Sequence, residues 1–122
     1  MEILNFVQGD RSEFLAICEE MLSKDNEHYL STMPIIIWQK LISQLIAVNS
    51  YKLSQLMTSK LLIYFNEYYL GWYVLFLLSL VCKDAEFTKG SFQKLTQLAP
   101  NTSLIKFWKY VFDEDVILPS KL

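Results

Sequence analysis

Apolar residues recur at helical spacing along most of the chain, and the strict apolar–polar alternation of a half-buried strand is scarce. Helices of roughly 12–16 residues joined by short turns are typical of antiparallel helical hairpins. The pattern therefore predicts an all-α fold of about six to seven helices, arranged as stacked hairpins in a short α-solenoid. The predicted helices cover residues 12–23, 26–31, 34–48, 51–65, 68–82, 85–98 and 103–112.

Several predicted helices have residues at their N-terminal ends that commonly begin a helix. Asp10 followed by Glu13 is typical of a capping box, in which a side-chain oxygen accepts from the first free backbone N–H groups. Pro34 lies where a first helical turn tolerates a missing N–H. Asp84 and Thr102 are residue types that cap helices, and each precedes a helical pattern. These signals predict the starts of four helices.

The stretch from Tyr68 to Cys82 is apolar on all sides, which is typical of a central, buried helix. It contains 15 uncharged residues, whereas a helix needs about 20 to span a bilayer. Extending it towards the N-terminus would place Glu67 in the membrane at a cost of a few kcal/mol. We therefore expect a fully buried helix and no stable membrane insertion.

Three tryptophans indicate an internal repeat. Trp38, Trp72 and Trp108 are separated by 34 and 36 residues. The tetratricopeptide repeat is a 34-residue helix–turn–helix with a tryptophan near the start of its first helix. Tyr51 and Pro100 also occupy places where that family often has an aromatic residue and a closing proline. Residues 35–101 thus resemble two degenerate repeats; the alternative is accidental spacing in an ordinary helical bundle.

The resemblance implies a single tetratricopeptide-like domain over residues 1–122. Ile42 and Phe76 replace the small residue usual in the family, so altered hairpin packing is expected. The predicted parts are an N-terminal hairpin or cap (1–33), two repeat-like hairpins (34–66 and 67–101), a cap helix (102–113) and a loose tail (114–122).

Composition points to protein partners. The chain is 52% apolar and 15% aromatic, which excludes a disordered chain and leaves a small domain with more apolar surface than it can bury. A net charge of −2 gives no support to nucleic-acid binding. We expect a hetero-partner, and a homo-oligomer is the alternative.

Charge is unevenly distributed. Residues 1–28 carry a net charge of −5, and residues 29–109 carry +5. The lysines of the second segment either attract an acidic partner helix or only solvate outer faces.

The segments Val48–Tyr51, Ser59–Leu61 and Leu70–Leu75 resemble the small tetratricopeptide-like chaperones of bacterial type III secretion. The resemblance implies a cytoplasmic heterodimer with a small helical co-chaperone, which clasps the amphipathic helix of a needle subunit in a concave groove. It implies that the acidic N-terminal hairpin contacts the co-chaperone. Six residues match groove-facing positions of that family, and Trp108 of the last predicted helix is added to them. The expected partner-binding groove is lined by Trp38, Leu41, Leu45, Trp72, Tyr73, Phe76 and Trp108.

No catalytic arrangement is evident. His28 is the sole histidine, so neither a Ser–His–Asp site nor a multi-histidine metal site can be specified. The glycines are isolated, which excludes a Gly-rich phosphate loop. The N-terminus lacks the features of a secretory signal, so Cys18 and Cys82 are expected to be reduced and buried. We expect a non-enzymatic cytoplasmic protein without cofactor or metal.

Overall fold

A computed structural model describes residues 11–112, and every regular element in that range is helical. The prediction of an all-α fold built from helical hairpins is confirmed. A short 3₁₀ turn at Lys24–Asn26 joins the first two helices. The helices are α1 (Arg11–Met21), α2 (Glu27–Ser31), α3 (Ile35–Ala47), α4 (Tyr51–Tyr64), α5 (Tyr69–Val81), α6 (Ala85–Leu98) and α7 (Ser103–Phe112).

Two of the predicted caps form as expected. The Asp84 carboxylate accepts from the Phe87 backbone N–H at 3.1 Å and begins α6. Thr102 Oγ1 accepts from the Ile105 N–H at 3.3 Å and begins α7. The predicted capping box at Asp10 and the predicted tail at 114–122 lie outside the described residues.

The chain divides into two compact units, one ending at Tyr64 and the other beginning at Phe65. In the first unit α3 packs on α4, and the fully buried Trp38 lies 6.2 Å, centroid to centroid, from the Tyr64 ring. The Trp38 indole Nε1–H donates to the Met33 carbonyl at 3.1 Å, so its one polar group is satisfied inside the core.

In the second unit α5 packs on α6, and the fully buried Phe76 is the centre of the core. Its ring meets those of Trp108 at 5.0 Å, Phe92 at 5.4 Å and Phe112 at 6.4 Å. Because two of these rings belong to α7, the last helix is held to the hairpin through Phe76. Phe76 lies where the tetratricopeptide family usually has a small residue, and here its large ring forms the centre of the core.

The turns of the two hairpins have the same backbone structure and lie one repeat length apart. Asn49 and Lys83 both adopt the left-handed conformation, with φ of 62° and 57°. In each turn the following residue donates its N–H to the carbonyl five positions back, at 2.9 Å. This is the Schellman motif, which satisfies carbonyls at a helix C-terminus.

Side-chain bonds and burial repeat at the same spacing. Ser54 donates its hydroxyl to the Ser50 carbonyl, and Thr88 donates to the Asp84 carbonyl, both at 2.7 Å. The two hairpins therefore agree in their buried positions along both of their helices, and this agreement does not depend on the tryptophans. The positions buried in both hairpins are Ile42 and Phe76, Leu45 and Ser79, Ser54 and Thr88, Met57 and Ser91, Thr58 and Phe92, and Leu61 and Leu95.

A charged cluster fixes α2 against α4. The Glu27 carboxylate accepts from the Lys60 ammonium and from the Tyr64 hydroxyl, which are one helical turn apart on α4. The Lys60 and Tyr64 hydrogen bonds lower the pKa of Glu27 below its usual value. The hydrogen bond to Glu27 raises the pKa of Tyr64 to about 12.

Stability should depend on pH through this cluster. The pKa of Glu27 is lowered in the folded state. The contribution of Glu27 to the free energy of unfolding is therefore present above its unfolded pKa and is lost as the pH falls. The Tyr64 pKa is raised, so its contribution is full below its unfolded pKa of 10 and is lost as the pH rises towards about 12. The urea concentration at the midpoint of unfolding should therefore decrease at both the acidic and the alkaline end of the pH range. Glu27→Gln should make both decreases smaller.

Glu20→Gln is the control for this prediction, because it removes the same charge from an exposed position on α1. It should leave the shape of the pH profile unchanged. A Glu27→Gln profile that overlays the parent at both ends would show that the cluster does not stabilise the fold.

Candidate protein-binding surface

The outward face of α5 is entirely aliphatic. Leu70, Val74, Leu77 and Val81 follow one another at steps of four, three and four residues, which places them on one line along the helix. Leu70 and Val81 are 50% and 57% exposed, and the two residues between them are half-buried. We call these four residues the α5 stripe; it is an apolar surface three turns long without a polar interruption.

The matching face of α3 shows that the α5 stripe is not imposed by the repeat. The equivalent positions of the first hairpin are Ile36, Lys40, Ser43 and Ala47, and all four are exposed. Only Ile36 is a large apolar residue. The same helix face is thus mostly polar or small in the first hairpin and aliphatic in the second.

Two aromatic side chains adjoin the α5 stripe. Tyr73, four residues before Leu77 on α5, accepts a hydrogen bond of 3.3 Å at its hydroxyl from the Trp108 Nε1–H on α7. Both rings are half-buried, and both contact Phe76 beneath them. Their polar atoms are therefore paired while part of each ring reaches the surface.

Trp72 is held at the start of α5. Its Nε1–H donates to the Asn66 carbonyl at 2.6 Å. Lys94 of α6 lies 5.8 Å from the centroid of the Trp72 ring and donates to Asn66 Oδ1 at 3.0 Å. This half-buried ring is covered by a cation on one side, so it contributes less open surface than its size suggests.

Three residues expected to line the groove lie in the core instead. Trp38, Leu45 and Phe76 have no exposed surface, because the inward faces of α3 and α5 pack on α4 and α6. Leu41 is half-buried, like Trp72, Tyr73 and Trp108. The seven residues thus divide into three core residues and four with some surface.

The expectation that residues 68–82 form a fully buried helix is wrong, because Leu70 and Val81 are exposed. Sequence reasoning missed the α5 stripe because every face of this helix is apolar, so composition could not distinguish the face that packs. The signal that could have found it was comparison with the mostly polar face at the equivalent positions of the first hairpin.

Within residues 11–112, no three His, Cys, Asp or Glu side chains lie close enough together to hold a metal ion. His28 is exposed on α2. Cys18 is buried, and burial raises the pKa of its thiol to about 11, which disfavours the reactive thiolate. Cys82 is half-buried, so the expectation of two buried thiols holds only for Cys18; neither forms a disulfide.

An open pocket of about 420 Å³ involves α1 and α4 of the first unit. Glu19 and Lys52 are its charged residues, and its remaining lining is almost entirely leucine. The lining residues are Leu15, Glu19, Leu22, Ser50, Lys52, Leu53 and Leu56.

Comparison of the chain with protein-family models, with curated proteins and with solved structures gave no match. Among the described helices, none combines the length and the apolar character needed to cross a membrane.

Proposed function

We propose that this protein is a non-enzymatic binding module that holds an amphipathic helix of a partner protein. The observation that carries the proposal is the α5 stripe, an uninterrupted aliphatic line whose two end residues are exposed and whose two middle residues are half-buried. Each large apolar side chain left in water forgoes about 1.5–3 kcal/mol of burial free energy. Contiguous apolar surface of this kind is typical of protein-interaction sites.

The spacing of the α5 stripe favours a helical partner. Side chains at i, i+4, i+7 and i+11 form the kind of seam that a second helix packs against. Leu70 to Val81 spans about 16 Å at 1.5 Å per residue, enough for about three turns of a partner helix. The half-buried Tyr73 and Trp108 would extend the contact to one side.

A narrower proposal follows from the sequence resemblance. The protein would be a cytoplasmic type III secretion chaperone that sequesters the amphipathic helix of a needle subunit, together with a small co-chaperone. Sequestration needs no chemistry, because binding lowers the concentration of free subunit by mass action. Trp72, Tyr73 and Trp108 of the second unit retain partial exposure and are compatible with contacting such a helix, and Phe76 supports Tyr73 and Trp108 from beneath.

The second candidate is a homo-oligomeric adaptor without a secretion role. The uncharged α5 stripes of two copies could pack on each other, because no charge would be buried by doing so. Sedimentation of the purified chain distinguishes the two candidates: a dimer that Leu70→Gln with Val81→Gln converts to a monomer favours the adaptor.

Removing apolar surface from the α5 stripe should weaken the binding of a partner helix. The double variant Leu70→Gln and Val81→Gln changes two half-exposed side chains to good helix formers, so the fold should persist. The probe is a labelled amphipathic peptide helix of leucine and glutamine, measured by fluorescence anisotropy. We expect affinity to fall by about tenfold or more, since anchor residues dominate helix binding.

The matched control is Ile36→Gln with Ala47→Gln, which introduces the same residues at the equivalent positions of α3. Circular dichroism should show that both double variants keep the helical content of the parent. Equal peptide affinity for the two folded variants would refute the assignment of the α5 stripe.

A further inference from the structure

The pocket that involves α1 and α4 presents apolar surface to an open space. Its volume of about 420 Å³ lies within the range of roughly 300–1,000 Å³ that is common for binding sites. Leu15 and Leu22, which belong to or directly follow α1, are half-buried, and Leu56 of α4 is 40% exposed. Leucines from two elements therefore line the same open space, which we call the α1–α4 pocket.

A long-range hydrogen bond places the start of α1 near this pocket. The guanidinium of Arg11, the first residue of α1, donates to the Val48 carbonyl at the end of α3. Two residues after Val48, Ser50 lines the α1–α4 pocket, and Leu53 follows it there. The chain therefore enters α1 beside the turn that leads into the α4 side of the pocket.

The residues that precede α1 in the sequence are strongly apolar. Residues 1–10 lie outside the described residues, and Glu2 is the sole charged residue among the first nine. Gly9 separates the apolar residues from α1, and glycine readily adopts the backbone conformations that reverse a chain. The large aliphatic and aromatic residues of this segment are Ile3, Leu4, Phe6 and Val7.

The length of this segment is sufficient to cover the α1–α4 pocket. Ten extended residues span at most about 33–36 Å. The helix α1 has 11 residues, which corresponds to about 16 Å at 1.5 Å per residue. A chain that reverses before Arg11 can therefore run back along the whole of α1.

We propose that the α1–α4 pocket is the docking site of the chain's own segment 3–7. Apolar side chains of this segment replace water against Leu15, Leu22 and Leu56, and the removal of apolar surface from water stabilises the contact. The pocket belongs to the first unit, so the proposal does not rest on the function proposed for the α5 stripe.

Covalent connection favours this occupant over a molecule that binds from solution. A site and a segment joined by a few residues meet at an effective concentration of the order of 1 mM. A small apolar molecule or a second copy of the chain must compete with that concentration. The charges of the pocket do not select an ionic ligand, because Glu19 and Lys52 have opposite signs.

Photo-crosslinking of the full chain tests the proposal. Phe6 is replaced by benzoylphenylalanine, which reacts on irradiation with C–H groups near it, and the products are mapped by mass spectrometry. We expect crosslinks within one chain to residues 50–56, which are far from Phe6 in the sequence. Leu15→Gln with Leu56→Gln should lower the yield of these crosslinks about fivefold or more, since it removes apolar lining from both sides of the pocket.

The matched control is Ile17→Gln with Ile63→Gln. It introduces the same residue on the same two helices, at positions that are 53% and 66% exposed and do not line the pocket. This control should keep the parent's yield, and circular dichroism should show equal helical content. If the pocket variant loses helix, Leu56→Gln alone replaces it, because that side chain is already 40% exposed.

Three crosslinking results would overturn the proposal. The first is an equal yield in the pocket variant and its control. The second is the absence of crosslinks to residues 50–56. The third is a set of crosslinks that join two chains, which would make a second copy the occupant.

A competition measurement provides an independent readout. Phe6→Ser with Val7→Ser should free the pocket, so this full-length variant should bind a labelled peptide of residues 1–8 about tenfold more tightly than the parent does. Equal affinities would show that the parent's own segment does not occupy the pocket. Decanoate that binds the parent and this variant equally well would assign the pocket to a small apolar ligand, and would also overturn the proposal.

Discussion

Phe76→Ala should lower the free energy of unfolding by about 3–5 kcal/mol, the usual cost of deleting a fully buried phenylalanine ring. The loss should lie at the upper end of that range, because the Phe76 ring contacts Phe92 on α6 and both Trp108 and Phe112 on α7. The cavity left would lie between α5, α6 and α7, because each of these helices contributes buried residues to the same cluster. Urea denaturation followed by circular dichroism measures the change.

Phe107→Ala is the matched control for Phe76→Ala. It deletes the same atoms from a ring that is 56% exposed and packs against Trp108 at the edge of the core. The expected change is below about 1 kcal/mol, since exposed positions contribute little to stability. Similar losses for the two variants would mean that Phe76 is not the centre of the core of the second unit.

Trp38→Ala should have a comparably large effect on the first unit. The side chain is fully buried, and its removal should cost about 3–5 kcal/mol, enough to unfold a marginally stable domain. Trp38→Phe separates the two contributions, because it keeps an aromatic ring and removes the 3.1 Å bond to the Met33 carbonyl. That smaller change should cost about 1–3 kcal/mol, from the lost hydrogen bond together with the smaller ring.

Trp72→Ala provides the comparison at the equivalent repeat position. Trp72 also donates to a backbone carbonyl just before its helix, but its ring is half-buried and faces Lys94. We expect a clearly smaller loss than for Trp38→Ala. A larger loss would contradict the burial that distinguishes the two tryptophans.

The helix boundaries could be predicted from the sequence because they depend on neighbouring residues. Asp84 and Thr102 cap their helices with their own side chains, a property of a few consecutive residues. Asn49 adopts the left-handed conformation, which asparagine tolerates better than most residues. Lys83 adopts the same conformation without such a preference, so the residue type alone does not indicate it.

The candidate site could not be predicted because it depends on which helix face packs. Every face of α5 is apolar, so the pattern did not distinguish the buried Phe76 from the exposed Leu70. The large aromatics were expected at the surface, yet Trp38 and Phe76 are among the residues that the cores bury completely. On α5 the exposed residues are instead the aliphatic Leu70 and Val81.

The Schellman turns at Asn49 and Lys83 are each closed by backbone hydrogen bonds within a single hairpin. Ser50 donates its N–H to the Leu45 carbonyl, and Asp84 donates its N–H to the Ser79 carbonyl. Because these bonds involve only the main chain, asparagine in one hairpin and lysine in the other occupy the same left-handed position. A duplicated hairpin therefore carries its own connection with it and keeps that connection while its outer face changes, as the different exposed faces of α3 and α5 illustrate.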